Sequence, residues 1–285
     1  MKRKLLNISG KIDPAFVAIY NEVANVAKKQ GIEIFVVGAS ARNIILQHGY
    51  GIKPKLATKD IDFAIQVATW DEFNGLKKDL IKTGNYQTDK KILHRMLFLK
   101  KTPIDIIPFG ALVGEGHQLS WPPDHETNMN MLGYNEAYES AIRVRLRGEP
   151  VLELNLVAPA AYVALKIIAW SDRANKTNKD ALDIALLMYS YMEMGNVQRL
   201  TEEHTDLIQG NDYTYQKAGA RMLGRDIAQL CTGETLTFIQ TLLEKETGKQ
   251  KRYKLVQDMS QGQYGYDFDE CLELLESLNL GVVEK

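Results

Sequence analysis

The sequence predicts an α/β (α+β) chain, with strands and helices mixed in an N-terminal half and helices alone in a C-terminal half. Three observations carry that expectation. Polar and apolar residues alternate with period two over 60–67 and 141–147, as in strands with one buried face. An unbroken apolar run at 34–37 ends at Gly38 and leads into an apolar helical face. From Pro159 onward the periodicity is helical. A boundary near residue 157 follows, giving an α/β domain over 1–157 and a helical domain over 158–285.

Residues 11–30 form a leading helix, with Phe16, Val17, Tyr20, Val23 and Val26 on its inner face. The apolar run at 34–37 is a buried strand. Gly38 permits a tight turn and Ser40 is the expected N-cap of the helix that follows. Such a strand-turn-helix aims backbone N–H groups at whatever lies above it and can cradle phosphate; a plain connection needs the same glycine. Two strands, 95–99 and 104–109, make a hairpin. Trp121-Pro122-Pro123-Asp124 marks a loop. Strands resume at 141–147 and 151–156, joined by Gly148-Glu149-Pro150, and helices follow near 159–173, 178–195, 214–230, 234–246 and 267–278.

Three carboxylates carry the chemistry. Asp60 and Asp62 are two apart on one strand, so both project to the same side. Adjacent carboxylates repel unless a cation lies between them, and Mg²⁺ suits that place; two ordinary aspartates on a solvated face are the alternative. Asp105 interrupts an apolar strand, and a buried carboxylate needs a partner or a metal. If its strand lies beside that of Asp60 and Asp62, the three can hold two metal ions. Otherwise Asp105 pairs with a nearby cation such as Arg95.

In the helical half, Tyr162, Lys166, Trp170 and Arg173 fall near one stripe. Lys166 stands beside a buried surface, as a counter-charge or as a snorkelling side chain. Asn178 is a suitable N-cap, and Asp180 in the first turn suits the helix dipole. Asp183 sits on an otherwise apolar helix and can tie the two helices together through Arg173.

These residues resemble the nucleotidyltransferase superfamily that includes DNA polymerase β, and more closely the bacterial AbiEii/AbiGii-type nucleotidyltransferases, toxins of type IV toxin–antitoxin systems. The matching pieces are Val37-Gly38-Ala39-Ser40, Asp60-Ile61-Asp62, the segment from Ile104 to Gly110, and the two helical segments around Lys166 and Asp180. Gly38-Ala39-Ser40-Ala41-Arg42-Asn43 is also similar to the corresponding segment of CCA-adding enzymes. The gap from Ser40 to Asp60 is longer than the family's, and residues 48–55 look like an inserted loop. The resemblance implies a nucleotidyltransferase fold with a mixed sheet and an active site in the cleft beside the helical half. It implies Mg²⁺ (or Mn²⁺) on Asp60, Asp62 and Asp105, and nucleotide contacts from Gly38, Ala39, Ser40, Arg42 and Lys166. Asp180 matches an active-site acid, a candidate base. The implied reaction is attack of an acceptor hydroxyl on the α-phosphate of an NTP. The acceptor expected is an RNA 3′ end, especially tRNA; a protein or aminoglycoside-like acceptor, or a non-catalytic nucleotide-binding module, is the alternative. An antitoxin is the partner implied.

Composition agrees. The chain has 285 residues, 45% hydrophobic and 25% charged, ordinary globular usage. Two cysteines, Cys231 and Cys271, imply no disulfide framework or cysteine metal site. The N-terminal stretch is basic without an apolar core and no run approaches a membrane span, so the cytoplasm is expected. A net charge of −1 argues against a general nucleic-acid coat but allows a local basic stripe. Arg143, Arg145 and Arg147 share one strand face and form that stripe, as phosphate contacts or as a solvated sheet face.

Overall fold

A computed structural model describes residues 5–55, 58–209, 214–248, 252–262 and 264–284; the basic N-terminal residues 1–4 lie outside them. The chain divides into two compact units, Met1–Ala158 and Pro159–Lys285. Among the described residues no helix is long and apolar enough to cross a membrane.

The first unit runs β1 (Leu5–Asn7), α1 (Pro14–Lys29), β2 (Glu33–Val37), α2 (Gly38–Asn43), β3 (Ile61–Gln66), α3 (Trp70–Lys82), β4 (Tyr86–Thr88), β5 (Arg95–Phe98) and β6 (Thr102–Phe109). It continues through β7 (Gln118–Ser120), β8 (Asn128–Asn130), α4 (Tyr134–Glu139), β9 (Ile142–Arg147) and β10 (Leu152–Leu156). Eight strands form one mixed sheet in the order β1-β9-β10-β2-β3-β6-β5-β4, and β7 pairs with β8 apart from it. β3 is central. It runs antiparallel to β2 and parallel to β6, and β6 runs antiparallel to β5. Its inner residues Phe63 and Ile65 are fully buried, as are Phe35 on β2 and Ile106 and Phe109 on β6. Phe35 meets Phe109 edge-on at 5.4 Å, a favoured aromatic geometry. The alternation in the sequence is therefore that of a strand held from both sides.

Helix α1 begins where Asp13 accepts from Ala15 N at 2.8 Å and Pro14 occupies the first turn. It buries Val17, Ile19, Tyr20, Val23, Val26 and Ala27, with Phe16 only half-buried. Helix α2 starts earlier than expected. Gly38 takes φ +62°, a left-handed value that costs other residues energy, and the chain turns directly into the helix. Ser40 is thus not an N-cap but a buried residue of the first turn. Beyond Asn43 the helix widens to π-type spacing over Ile44–Gly49. The expected hairpin is β5–β6, closed by a turn at residues 99–101 in which Leu99 and Lys100 have positive φ. Helices α3 and α4 lie between the strands that the alternation marks.

The second unit consists of α5 (Pro159–Arg173), α6 (Lys179–Ser190), α7 (Val197–Glu202), α8 (Tyr215–Leu230), α9 (Gly233–Thr247), α10 (Lys254–Ser260) and α11 (Phe268–Val283). Helix α6 is shorter than the predicted 178–195, because a 3₁₀ turn at Met192–Met194 and Gly195 at φ +80° end it. Helix α11 is longer than predicted. A capping box of Asp267 and Glu270 opens it, and Leu275, Leu278 and Val282 carry its buried stripe past residue 278. Helices α8 and α11 cross with backbone against backbone. A Cβ on Gly224 would lie 2.9 Å from Val282 N, and one on Gly281 would lie 3.0 Å from Arg225 N. Glycine at both positions is what lets the two axes approach.

Candidate active site

Three adjacent strands place a row of charged side chains on one face of the sheet. Asp62 on β3 is the direct partner of Asp105 on β6, and Asp105 is the direct partner of Arg95 on β5. Residues opposite each other in register share a face, and neighbouring strands are about 4.8 Å apart. Asp60, just ahead of β3, projects to the same side as Asp62. The convergence that the sequence makes conditional on strand order is therefore present.

Arg95 binds this row together. Its Nε donates to Asp105 Oδ1 at 2.7 Å and its Nη2 to Asp105 Oδ2 at 2.8 Å, a bidentate pair. The same Nη2 reaches Asp60 Oδ2 at 3.3 Å. Hydrogen bonding to Asp105 is the main cause that holds the guanidinium pKa above its usual value. Asp105 is buried, at 7% exposure, so the charge within the apolar strand has its partner. The Asp60 side chain is 39% exposed and that of Arg95 23%, so the row opens to solvent on the Asp60 side.

Beside the row lies the turn after β2. A Cβ on Gly38 would sit 2.6 Å from Asp62 Cγ, so only glycine lets the turn approach this carboxylate. Ser40 Oγ donates to Val37 O and accepts from Asp62 N, each at 3.3 Å. Gly38 and Ala39 are half-buried next to it. Arg42, buried within α2, donates to Asn43 Oδ1 from Nε at 3.0 Å and Nη2 at 2.8 Å.

Two residues enter that the sequence reading had not placed in the site. Tyr20 of α1 appeared only as core; its hydroxyl bonds Ser40, and burial pushes the phenol well above its usual pKa. His94 precedes β5, with Nε2 3.9 Å from Asp105 Oδ2 and its ring 5.5 Å from that of Trp121. Burial lowers the His94 pKa, against the opposing pull of Asp105. Helical periodicity marks Tyr20 only as a core residue of α1 and no pattern marks His94; each joins the site through tertiary packing.

Among the described residues, no three His, Cys, Asp or Glu side chains form a ready metal site as they stand. The donor set nonetheless suits a hard divalent ion. It supplies carboxylate oxygens on one face, with the Arg95 guanidinium between Asp60 and Asp105.

The second unit holds its own buried cluster. Lys166 Nζ lies 2.9 Å from Asp180 Oδ1 and 2.7 Å from Asp183 Oδ2. Tyr162 donates to Asp183 Oδ2 at 2.7 Å, and the Lys166 ammonium stands 5.3 Å from the Tyr162 ring centre. Arg173 is bidentate on Asp180, through Nε to Oδ2 and through Nη2 to Oδ1 at 2.8 Å. Asp183 therefore ties α5 to α6 as expected, through Tyr162 and Lys166, while Arg173 binds Asp180. Burial alone would lower the Lys166 pKa, but Tyr162, Asp183 and Asp180 outweigh it and raise the ammonium above its usual value. Burial would likewise raise Asp180, but Arg173 and Lys166 hold its carboxyl below the usual range. Lys166 is therefore a paired, oriented cation rather than a snorkelling one.

The arginine stripe is real but largely committed. Arg145 donates to Glu153 Oε1 at 2.9 and 2.7 Å, and Arg143 Nε lies 3.7 Å from Glu153 Oε2. Arg147 donates to Pro150 O at 2.8 Å and Asn21 Oδ1 at 3.1 Å. Glu153 faces the stripe from β10 and pairs with Arg145, while the Arg143 side chain stays 60% exposed.

The class of protein is that of the nucleotidyl transferases. The family model described as "Nucleotidyl transferase AbiEii toxin, Type IV TA system" matches residues 57–274, and the chain belongs to that family. The matched span contains the row of aspartates and the Lys166 cluster, whereas the Gly38 turn precedes it. No protein of curated function matches the chain. Among solved structures it is similar to the antibiotic-resistance factor ANT(2'')-Ia in complex with adenylyl-2''-tobramycin. Identity there is 9%, over 67% of this chain and 94% of that one, with a TM-score of 0.36. It is also similar to a CCA-adding enzyme with ATP, at 14% identity over 93% of this chain and 67% of that one, TM-score 0.34. The Thermotoga maritima CCA-adding enzyme complexed with tRNA shares 10% identity over 96% of this chain and 82% of that one, TM-score 0.33.

Proposed function

We propose that this protein transfers a nucleoside monophosphate from an NTP to the 3′ hydroxyl of an RNA acceptor, tRNA in particular, and releases pyrophosphate. The observation that carries this reading is the row Asp62–Asp105–Arg95 with Asp60 beside it. Asp60, Asp62 and Asp105 would hold Mg²⁺ or Mn²⁺. Bound there, the metal supplies charge neutralisation at the triphosphate and lowers the pKa of the attacking hydroxyl. The acceptor oxygen forms a bond to the α-phosphorus, the bond from that phosphorus to the pyrophosphate oxygen breaks, and Asp105 takes the acceptor proton. Gly38, Ala39 and Ser40 would present backbone N–H groups and a hydroxyl to the phosphates, and Arg42 would stiffen α2 beneath them. Lys166 would serve as a counter-charge for the phosphates.

Asp180 is better suited to positioning than to proton transfer. A carboxylate held below its usual pKa by Arg173 and Lys166 is a weak base, while its bond to Lys166 fixes the direction of the ammonium. A cognate antitoxin would be the protein partner, as membership of a type IV toxin family implies.

The test is incubation of the protein with each α-labelled NTP and Mg²⁺, with total RNA or RNA-free lysate as acceptor. Label in RNA, lost in Asp62→Asn, supports the reading. Label in protein or a small molecule alone transfers the reaction to another acceptor, and no label in any fraction refutes the proposed transfer.

A further inference from the structure

The guanidinium of Arg95 occupies the place where the proposed metal site needs positive charge, and its contacts are unequal. The hold on Asp105 is short and bidentate, at 2.7 and 2.8 Å, on a carboxylate that is almost fully buried. The hold on Asp60 is a single bond at 3.3 Å, on a carboxylate that is 39% exposed. A competing cation that enters from solvent therefore meets the weaker contact first. Arg95 also has another carboxylate within its field. Asp89, on the segment between β4 and β5, accepts from Lys91 N at 2.7 Å and Ile92 N at 3.0 Å, and its charge acts on Arg95. Asp89 N in turn bonds the Arg95 carbonyl at 3.0 Å, so the two residues are tied through the backbone. Three like charges on one face cannot stay close without compensation, and Arg95 supplies it with a side chain of the chain's own.

We infer that Arg95 is a displaceable counter-cation: it bridges Asp60 and Asp105 while the site holds no metal, and it leaves them for Asp89 when a divalent ion binds. This rests on the reading of Asp60, Asp62 and Asp105 as metal ligands. The arrangement keeps Asp105 compensated in the metal-free protein, at the cost of competing with the metal. Metal binding then carries a penalty that a variant without the guanidinium escapes, and Arg95 sets the metal concentration at which the site fills.

The test is Mn²⁺ binding to the full chain without nucleotide, followed by electron paramagnetic resonance. Arg95→Gln is expected to bind Mn²⁺ about tenfold more tightly than the wild type, the factor given by one charge-assisted bond at the weak end of its range. Asp62→Asn is expected to lose the site. An equal or weaker affinity in Arg95→Gln, with wild-type binding intact, overturns the role of Arg95 and leaves the ligand assignment standing. Absence of Mn²⁺ binding in the wild type overturns both. A second measurement needs no stable variant. The Nε–Hε resonance of Arg95 in ¹⁵N-labelled wild-type protein is expected to shift as Mg²⁺ saturates the site. A resonance unmoved at saturation overturns the displacement.

Discussion

Replacing Gly38 by alanine adds one methyl group at the point where the turn touches the acidic row. Two costs are separable. The first is backbone strain, because φ is +62° and an alanine held in the left-handed region costs about 1–2 kcal/mol. The second is steric. The new Cβ would lie 2.6 Å from Asp62 Cγ and 2.9 Å from Asp62 Cβ, whereas ordinary contact begins at 3.4 Å. Asp62 must therefore retreat by the difference at Cγ, about 0.8 Å, and overpacking of this kind costs about 1–3 kcal/mol. Gly31→Ala is the control, since Gly31 has φ +70° with nothing within 4 Å of its would-be Cβ. Urea denaturation should show Gly31→Ala losing only the strain, about 1–2 kcal/mol, and Gly38→Ala about 2–5 kcal/mol. Nucleotide transfer should fall about 100-fold in Gly38→Ala, the scale of a misplacement near 1 Å, and stay at wild-type level in Gly31→Ala. If the two variants match in stability and both transfer normally, the contact between turn and carboxylate does not exist and the site as described is wrong.

Asp60→Asn and Asp62→Asn should each abolish transfer at saturating Mg²⁺ while circular dichroism and the thermal midpoint show an intact fold, because each removes one charged ligand. Lys166→Met should cost about 3–5 kcal/mol in denaturant titrations, since Asp180 and Asp183 stay buried without their shared cation; Lys166→Arg should recover part of that. Asp180 is held below the ordinary carboxylate value of 3.8, so its stabilising contribution is complete above that value and is lost as pH falls through its depressed pKa. Acid unfolding of Asp180→Asn should therefore show a shallower limb below pH 3.8 than the wild type, and identical limbs would contradict the assignment. For Arg143→Gln, Arg145→Gln and Arg147→Gln combined, the slope of RNA affinity against salt should fall by at most about 1.4, two single-strand contacts, because Glu153 already neutralises one charge of the stripe. A loss near three contacts would show that Arg145 leaves Glu153 for RNA.

Much of the fold follows from local pattern, and the misses have local causes. The alternation around Phe63 and Ile65 marks β3 because that strand buries one row and leaves Asp62 on the other. The apolar face from Pro159 marks α5 for a similar reason. Ser40 is misread because the helix start depends on the φ of Gly38, which residue type permits but does not dictate. Short helices such as α7 and α10 escape because six or seven residues carry too little periodicity. In the site, Asp62 and Asp105 stand out as charges in apolar strands, and Asp60 by its spacing of two from Asp62. The partner of Asp105 is legible only as one cation among several, since the choice of Arg95 needs the β5–β6 pairing. Glu153 opposite the arginine stripe is hidden for the same reason. It is eight residues from Arg145, and the β9–β10 pairing brings them together.

The pairing of Arg95 with Asp105 also bears on how the hairpin finds its alignment. The neighbouring partners are Met96 with Ile104 and Leu97 with Pro103, apolar side chains that would tolerate many alignments. A slip by one residue turns every side chain of a strand to the opposite face. In a slipped β5–β6 hairpin, Arg95 would face Ile104 or Ile106 and Asp105 would be buried without its counter-charge, a loss of several kcal/mol. The hairpin therefore carries its own proofreading. The Arg95–Asp105 salt bridge makes misaligned pairings unfavourable in the folded sheet, so Asp105 lies opposite Asp62 rather than one residue away.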